Sequence, residues 1–164
     1  MWPVIIGIGI GAIIANAFSE EGETPRRKSS IRANRTANTN KRVFVSFAIE
    51  DKKYRDFLVS QAKNERTPFS FIDMSVKEPW TQSIWKRKCR KKIQNCDGMI
   101  VLLSKNTWHS GGSRWEIKCA VQEDIPVVGM HIKQQNRGAI PPELYGMRVI
   151  DWTWADLEKS IQKF

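Results

Sequence analysis

The sequence predicts an α/β fold: a five-stranded, mostly parallel sheet with helices on both faces, plus an N-terminal transmembrane helix. Three observations predict it. From residue 41 onward, short β-rich apolar runs alternate with stretches of helical periodicity, the pattern of a doubly wound sheet. The run Met99-Ile-Val-Leu-Leu103 is apolar without a break, as expected of a strand buried on both faces. Residues 2–18 hold no charged side chain at all.

Taken in order, residues 2–18 come first. As a helix they would be roughly 25 Å long, close to a bilayer core of about 30 Å. A cleaved signal peptide is one reading, since Ala15-Asn16-Ala17 resembles a small-residue cleavage site. A buried soluble helix is another, although nothing polar marks a solvent face. A membrane anchor fits best, because nothing basic precedes the apolar run and Arg26, Arg27, Lys28, Arg32, Arg35, Lys41 and Arg42 all follow it. That asymmetry implies a single-pass protein of the cell membrane with its main domain in the cytoplasm. Gly7-Ile-Gly9-Ile-Gly11 is not a dinucleotide fingerprint, for no βαβ unit surrounds it. Gly7 and Gly11 do form a G-x-x-x-G pair, which suits close approach of two membrane helices. Residues 19–40 are polar and basic, and read as a flexible linker.

The folded domain occupies residues 41–164. Residues 42–48 read as the first strand. Residues 52–63 read as a helix with Tyr54, Phe57, Leu58 and Ala62 inward. Residues 69–73 form a second strand ending in Asp73. Residues 83–95 are helical, with Trp85, Cys89, Ile93 and Cys96 on one side. The third strand, residues 99–103, is followed by a polar loop and a helix opening at Ser113. Residues 125–132 and 147–152 give the last two strands, and Thr153 caps a final helix with Trp154, Leu157 and Ile161 inward.

The chain has 164 residues and a formal net charge of +10. That charge invites nucleic acid, an anionic membrane or an acidic ligand. The densest basic run of the domain, Lys86-Arg-Lys-Cys-Arg-Lys-Lys92, reads as a solvated helix face or a membrane-surface contact. Nucleic acid is an unlikely partner, since no binding motif or aromatic platform accompanies the charge. Cys89, Cys96 and Cys119 lack C-x-x-C spacing and read as reduced core cysteines. His109 and His131 lack ligand spacing, so no metal site is expected.

Ligands bind open α/β sheets at the carboxyl ends of strands. A phosphoacceptor receiver would need an aspartate ending the third strand, where Ser104 stands. A P-loop and a nucleophile elbow are both absent. What remains at those ends is Ser46, Phe47, Asp73, Ser104 and the pair Trp115-Glu116. Aromatics and carboxylates together suit a nucleoside: rings stack on a base and acids accept from ribose hydroxyls. A carboxylate near the anomeric carbon also stabilises an oxocarbenium-like transition state. Glu116 has a second reading as the partner of Ser113 in a capping box. Phe47 and Trp115 have one as plain core.

Arg42-Val-Phe-Val-Ser-Phe47, Phe69-Ser-Phe-Ile-Asp-Met-Ser75, Gly98-Met-Ile-Val-Leu-Leu-Ser104 and Trp115-Glu-Ile117, in this order and spacing, resemble the bacterial TIR-like family that includes the Thoeris ThsB proteins. The likeness runs from about residue 41 to residue 152. It implies a flavodoxin-like TIR fold. It also implies cleavage or cyclisation of NAD+ at the nicotinamide–ribose bond as a signal in antiphage defence. NAD+ is then a substrate, and no cofactor is implied. The resemblance puts the catalytic glutamate at Glu116 and ligand-side residues at Ser46, Phe47 and Asp73. Gly112 stands where the family usually has a tryptophan, four residues before the glutamate. Family members commonly self-associate, which a glycine-faced anchor would favour. The alternative is a non-catalytic TIR-like adaptor at the membrane.

Overall fold

The structure is a computed structural model describing residues 40–65, 67, 69–73, 81–135 and 137–164. The expected anchor at 2–18, with Gly7 and Gly11, lies outside the described residues, as does the expected linker apart from residue 40. Among the described residues no helix is long and apolar enough to cross a membrane.

Five strands and four α-helices alternate: β1 (Lys41–Ser46), α1 (Lys52–Asn64), β2 (Phe69–Ile72), α2 (Gln82–Gln94), β3 (Gly98–Leu103), α3 (Gly111–Gln122), β4 (Val127–His131), β5 (Arg148–Asp151) and α4 (Trp154–Ile161). The sheet order is β2-β1-β3-β4-β5. Every pairing is parallel. The chain steps from β1 to β2, then back past β1 to β3, and continues in that direction. Right-handed crossovers therefore place α1 on one face and α2 and α3 on the other. The packing agrees. Leu58 and Ala62 of α1 and Leu157 and Ile161 of α4 cover Val43, Val45, Ile100 and Leu102. Cys89 and Ile93 of α2 and Ile117, Cys119 and Ala120 of α3 cover Phe44, Met99 and Val101. All six residues of β3 are buried, as the uninterrupted apolar run requires of a central strand covered on both sides.

Three expectations are corrected. The helix expected to open at Ser113 begins at Gly111, and its cap is Ser110, whose Oγ accepts from the Ser113 amide at 3.3 Å. Ser113 and Glu116 are thus no capping box. The Ser110 cap starts the helix at two exposed glycines that propensity disfavours. On α1, Phe57 is 61% exposed, and Arg55 is buried instead. The fourth strand starts at Val127 rather than residue 125. Asp124, at φ 55°, ends α3 in a left-handed turn, and Pro126, which lacks a ladder donor, gives its carbonyl to Met99 N at 2.8 Å. The expected last cap stands: Thr153 Oγ1 accepts from Asp156 N at 3.1 Å. The three cysteines are buried and unpaired by disulfides.

Candidate functional site

β1 and β3 part company at their carboxyl ends, where successive connections leave toward opposite sides of the sheet. Such a switch point opens a crevice beside the strands. Ser46 is the last residue of β1 and has the same parity as Phe44, so its side chain faces α3. Glu116 sits in the second turn of α3 with its carboxyl toward that hydroxyl. Ser46 Oγ donates to Glu116 Oε2 at 2.6 Å and lies 2.8 Å from Ser113 Oγ. Cys89 Sγ of α2 reaches Glu116 Oε1 at 3.8 Å. Ser46, Ser113, Cys89 and Glu116 are all buried, Glu116 being 7% exposed. One carboxyl group therefore ties β1, α2 and α3 together, with no bond to the amides that open its own helix.

The electrostatics follow from that burial. Removal from water pushes the Glu116 carboxyl up to about 8, the Ser46 hydrogen bond opposes the rise, and the negative charge of Asp73 adds to it. The Cys89 thiol is raised as well, chiefly by burial and then by the adjacent Glu116. At neutral pH the pair is a protonated acid beside a neutral thiol.

Asp73, just beyond β2, is buried and ion-paired with Arg55, whose Nε lies 3.1 Å from Asp73 Oδ2. Arg55 Nη1 lies 3.0 Å from Asp56 Oδ1, while its buried Nη2 has no hydrogen-bond partner among the described residues. The guanidinium stands 5.5 Å from the centre of the Phe47 ring. Lys92 Nζ donates to the Asp73 carbonyl at 3.0 Å.

Of the residues expected to line a site, the structure joins Ser46 to Glu116 by a hydrogen bond, and Asp73 stands near enough for its charge to raise the Glu116 carboxyl. Phe47 is linked to them through Arg55. Trp115 points elsewhere: its ring lies 5.2 Å from that of Trp85 on α2, with Lys86 Nζ 5.6 Å from its centre. Ser104 stands with another acid. Its Oγ donates to Asp51 Oδ2 at 2.5 Å, and Asn106 Nδ2 donates to Asp51 Oδ1 at 3.1 Å. Arg55 and Cys89 were not singled out from the sequence as parts of a polar site. Arg55 has a sequence signal, being spaced at three and seven residues from the buried Leu58 and Ala62.

Cavities open at both ends of the sheet on the described surface. One, at the amino ends of the strands, is lined by Cys96, Asp97, Ile125, Pro126, Lys163 and Phe164. The other lies at the carboxyl ends, beside Asp51 and Ser104. Neither includes Glu116.

Compared with known proteins, residues 44–137 match the family model described as Thoeris protein ThsB, TIR-like domain. Among solved structures, the chain is similar to the TIR domain of the Toll-related receptor TRR-2 from Hydra magnipapillata, with a TM-score of 0.53 and 14% identity over 74% of this chain and 91% of that one. It is more distantly similar to the Clostridium botulinum CMP N-glycosidase BcmB, at TM-score 0.47 and 17% identity over 76% of this chain and 100% of that one. No curated protein matches it. The family match spans more than half of the sequence, and the flavodoxin-like order of the sheet agrees with it: the chain belongs to the Thoeris ThsB TIR-like domain family.

Proposed function

We propose that this TIR-like domain breaks the nicotinamide–ribose bond of NAD+, hydrolysing or cyclising the remainder as a signal in antiphage defence, with Glu116 as the catalytic carboxyl. The observation that carries the reading is the cost of Glu116 to the fold. A carboxyl raised to about 8 is destabilised in its charged form, and one hydroxyl and one weak thiol donor do not compensate that burial. A glutamine or an apolar side chain would serve packing better. Acids kept where they strain the fold are typical of working sites.

The chemistry follows from the charge of the substrate. Nicotinamide in NAD+ is a cationic leaving group. A positive ring brought to the buried carboxyl favours its ionised form, opposing the effect of burial. As the C1–N bond breaks, nicotinamide departs with the bonding electron pair, and positive charge moves onto the ribose C1 and ring oxygen. The Glu116 carboxylate stabilises that charge. Water then attacks C1 and releases a proton, or a nucleophilic atom of the same molecule attacks and closes a ring. Ser46 positions the carboxylate. Asp73, held by Arg55, orients the ligand from the end of β2, and Phe47, on the α1 side, backs the Arg55 guanidinium.

The same proposal includes a membrane tether over residues 2–18 and self-association, which would raise the local concentration of domains. The second reading, a non-catalytic adaptor, is favoured by one observation: Glu116 is only 7% exposed. Incubating the full chain with NAD+ in an assembled, detergent-solubilised state and resolving the products decides between them. Nicotinamide together with an ADP-ribose isomer supports the enzyme. Unchanged NAD+ leaves the adaptor.

A further inference from the structure

Beyond the Glu116 site, and across the sheet from it, the carboxyl edge carries a recess of about 210 Å³. Strand parity separates the two: Ser46 faces α3, whereas Tyr54 and Ile132, which line the recess, pack with the α1 and α4 core.

The rim is built by fastening three loops together. Asp51, 3% exposed, opens the turn into α1 and takes hydrogen bonds from Ser104 and Asn106 of the loop after β3. Ser104 Oγ also accepts from the Asn106 amide at 2.9 Å. The loop after β4 closes onto the same segment at Gly138, whose φ is +73°. A Cβ there would lie 2.6 Å from Lys105 N, so only glycine lets the backbones approach so closely. This fastening brings Lys53, Lys105 and Lys133 to one opening.

None of these three ammonium groups lies within ion-pair distance of a carboxylate among the described residues, although Glu50 and Asp51 also line the recess. Two of them stand at the Tyr54 ring instead, Lys53 Nζ at 5.1 Å and Lys133 Nζ at 5.8 Å from its centre. Like charges held around one small opening repel, and a polyanion between them relieves the repulsion. The Asp51 carboxylate is already engaged at the floor by two donors. The recess is smaller than the roughly 300 Å³ at which drug-sized pockets begin, yet larger than a phosphate ion needs.

We infer that this recess binds a small phosphate ester of sugar size, with Lys53, Lys105 and Lys133 around the phosphoryl group and Asn106 near the sugar hydroxyls. It is a site separate from the proposed NAD+ chemistry, so its test reads binding and not turnover.

The test is calorimetric titration of the full chain, in detergent and chloride buffer, with ribose 5-phosphate and with inorganic phosphate. Saturable binding of ribose 5-phosphate, tighter than that of inorganic phosphate, is expected. Lys105→Gln and Lys133→Gln should each weaken it roughly three- to tenfold. Lys91→Gln, an exposed lysine on α2, should leave it unchanged. No saturation, equal or tighter binding of inorganic phosphate, or equal weakening by Lys91→Gln would each overturn the assignment.

Discussion

The hydroxyl of Ser46 lies 2.6 Å from Glu116 Oε2, joining the last residue of β1 to the second turn of α3. This contact gives Glu116 a fixed place at the carboxyl edge of the sheet. It also partly offsets the burial that drives the carboxyl's proton affinity upward.

Glu116→Gln should stabilise the protein, and increasingly so at higher pH. The folded carboxyl holds its proton up to about 8, whereas an unfolded glutamate releases it near 4.3. Between those values the folded state binds more protons, so wild-type stability falls as pH rises. The amide does not titrate. Denaturant melts of the two proteins should diverge from about pH 5 and reach a constant gap, on the order of a few kcal/mol, above about pH 9. Parallel curves would show that Glu116 is not raised.

Ser46→Ala removes the strongest influence holding the Glu116 carboxyl down, so its proton affinity should rise further. If the carboxylate is the working form, the pH profile of NAD+ cleavage moves to higher pH in this variant. Stability should fall by about 1–2 kcal/mol, because Ser113 and Glu116 each lose a buried partner. A profile that keeps its position while activity drops would count against the positioning role.

Arg55→Met should destabilise the domain by about 1–3 kcal/mol, because the charged hydrogen-bonding partner beside Asp73 is lost. Loss of that positive charge should also raise the Glu116 carboxyl further. Chemical denaturation checks the first effect and titration of the glutamate the second. A loss below about 1 kcal/mol would place the pair in effective contact with water.

Thr153→Ala should cost about 1 kcal/mol through loss of the α4 cap. Thermal melts against wild type measure it, and an unchanged midpoint would mean that α4 is held by Leu157 and Ile161 alone.

The elements of the fold were legible because their signals are local. The Met99–Leu103 run gave a buried strand, and Thr153 followed by Trp154, Leu157 and Ile161 gave a capped helix. The start of α3 was not legible, since Gly111 and Gly112 look like loop and the serine that caps them, Ser110, lies inside a polar run. Glu116 was found through the family resemblance; spacing alone suggested a cap. The grouping of the site was readable in part, through strand parity. Ser46 shares parity with Phe44 and faces α3, where Glu116 is. Phe47 and Ser104 continue the alternation of Val45 and Leu102 and belong to the α1 and α4 side. Trp115 is one residue from Glu116, hence about a quarter-turn away on the helix, and it meets Trp85. Arg55 was hidden because a charged residue on a helix normally faces water, and its buried partner Asp73 comes from beyond β2, distant in sequence.

The most direct measurement is nicotinamide release from NAD+ by the assembled full chain, wild type against Glu116→Gln. The amide keeps the shape of the side chain and the fold but cannot become a carboxylate. The account predicts steady release by wild type and a fall of at least about a hundredfold in the variant, the scale on which electrostatic groups in active sites act. Release at equal rates by both proteins would contradict it.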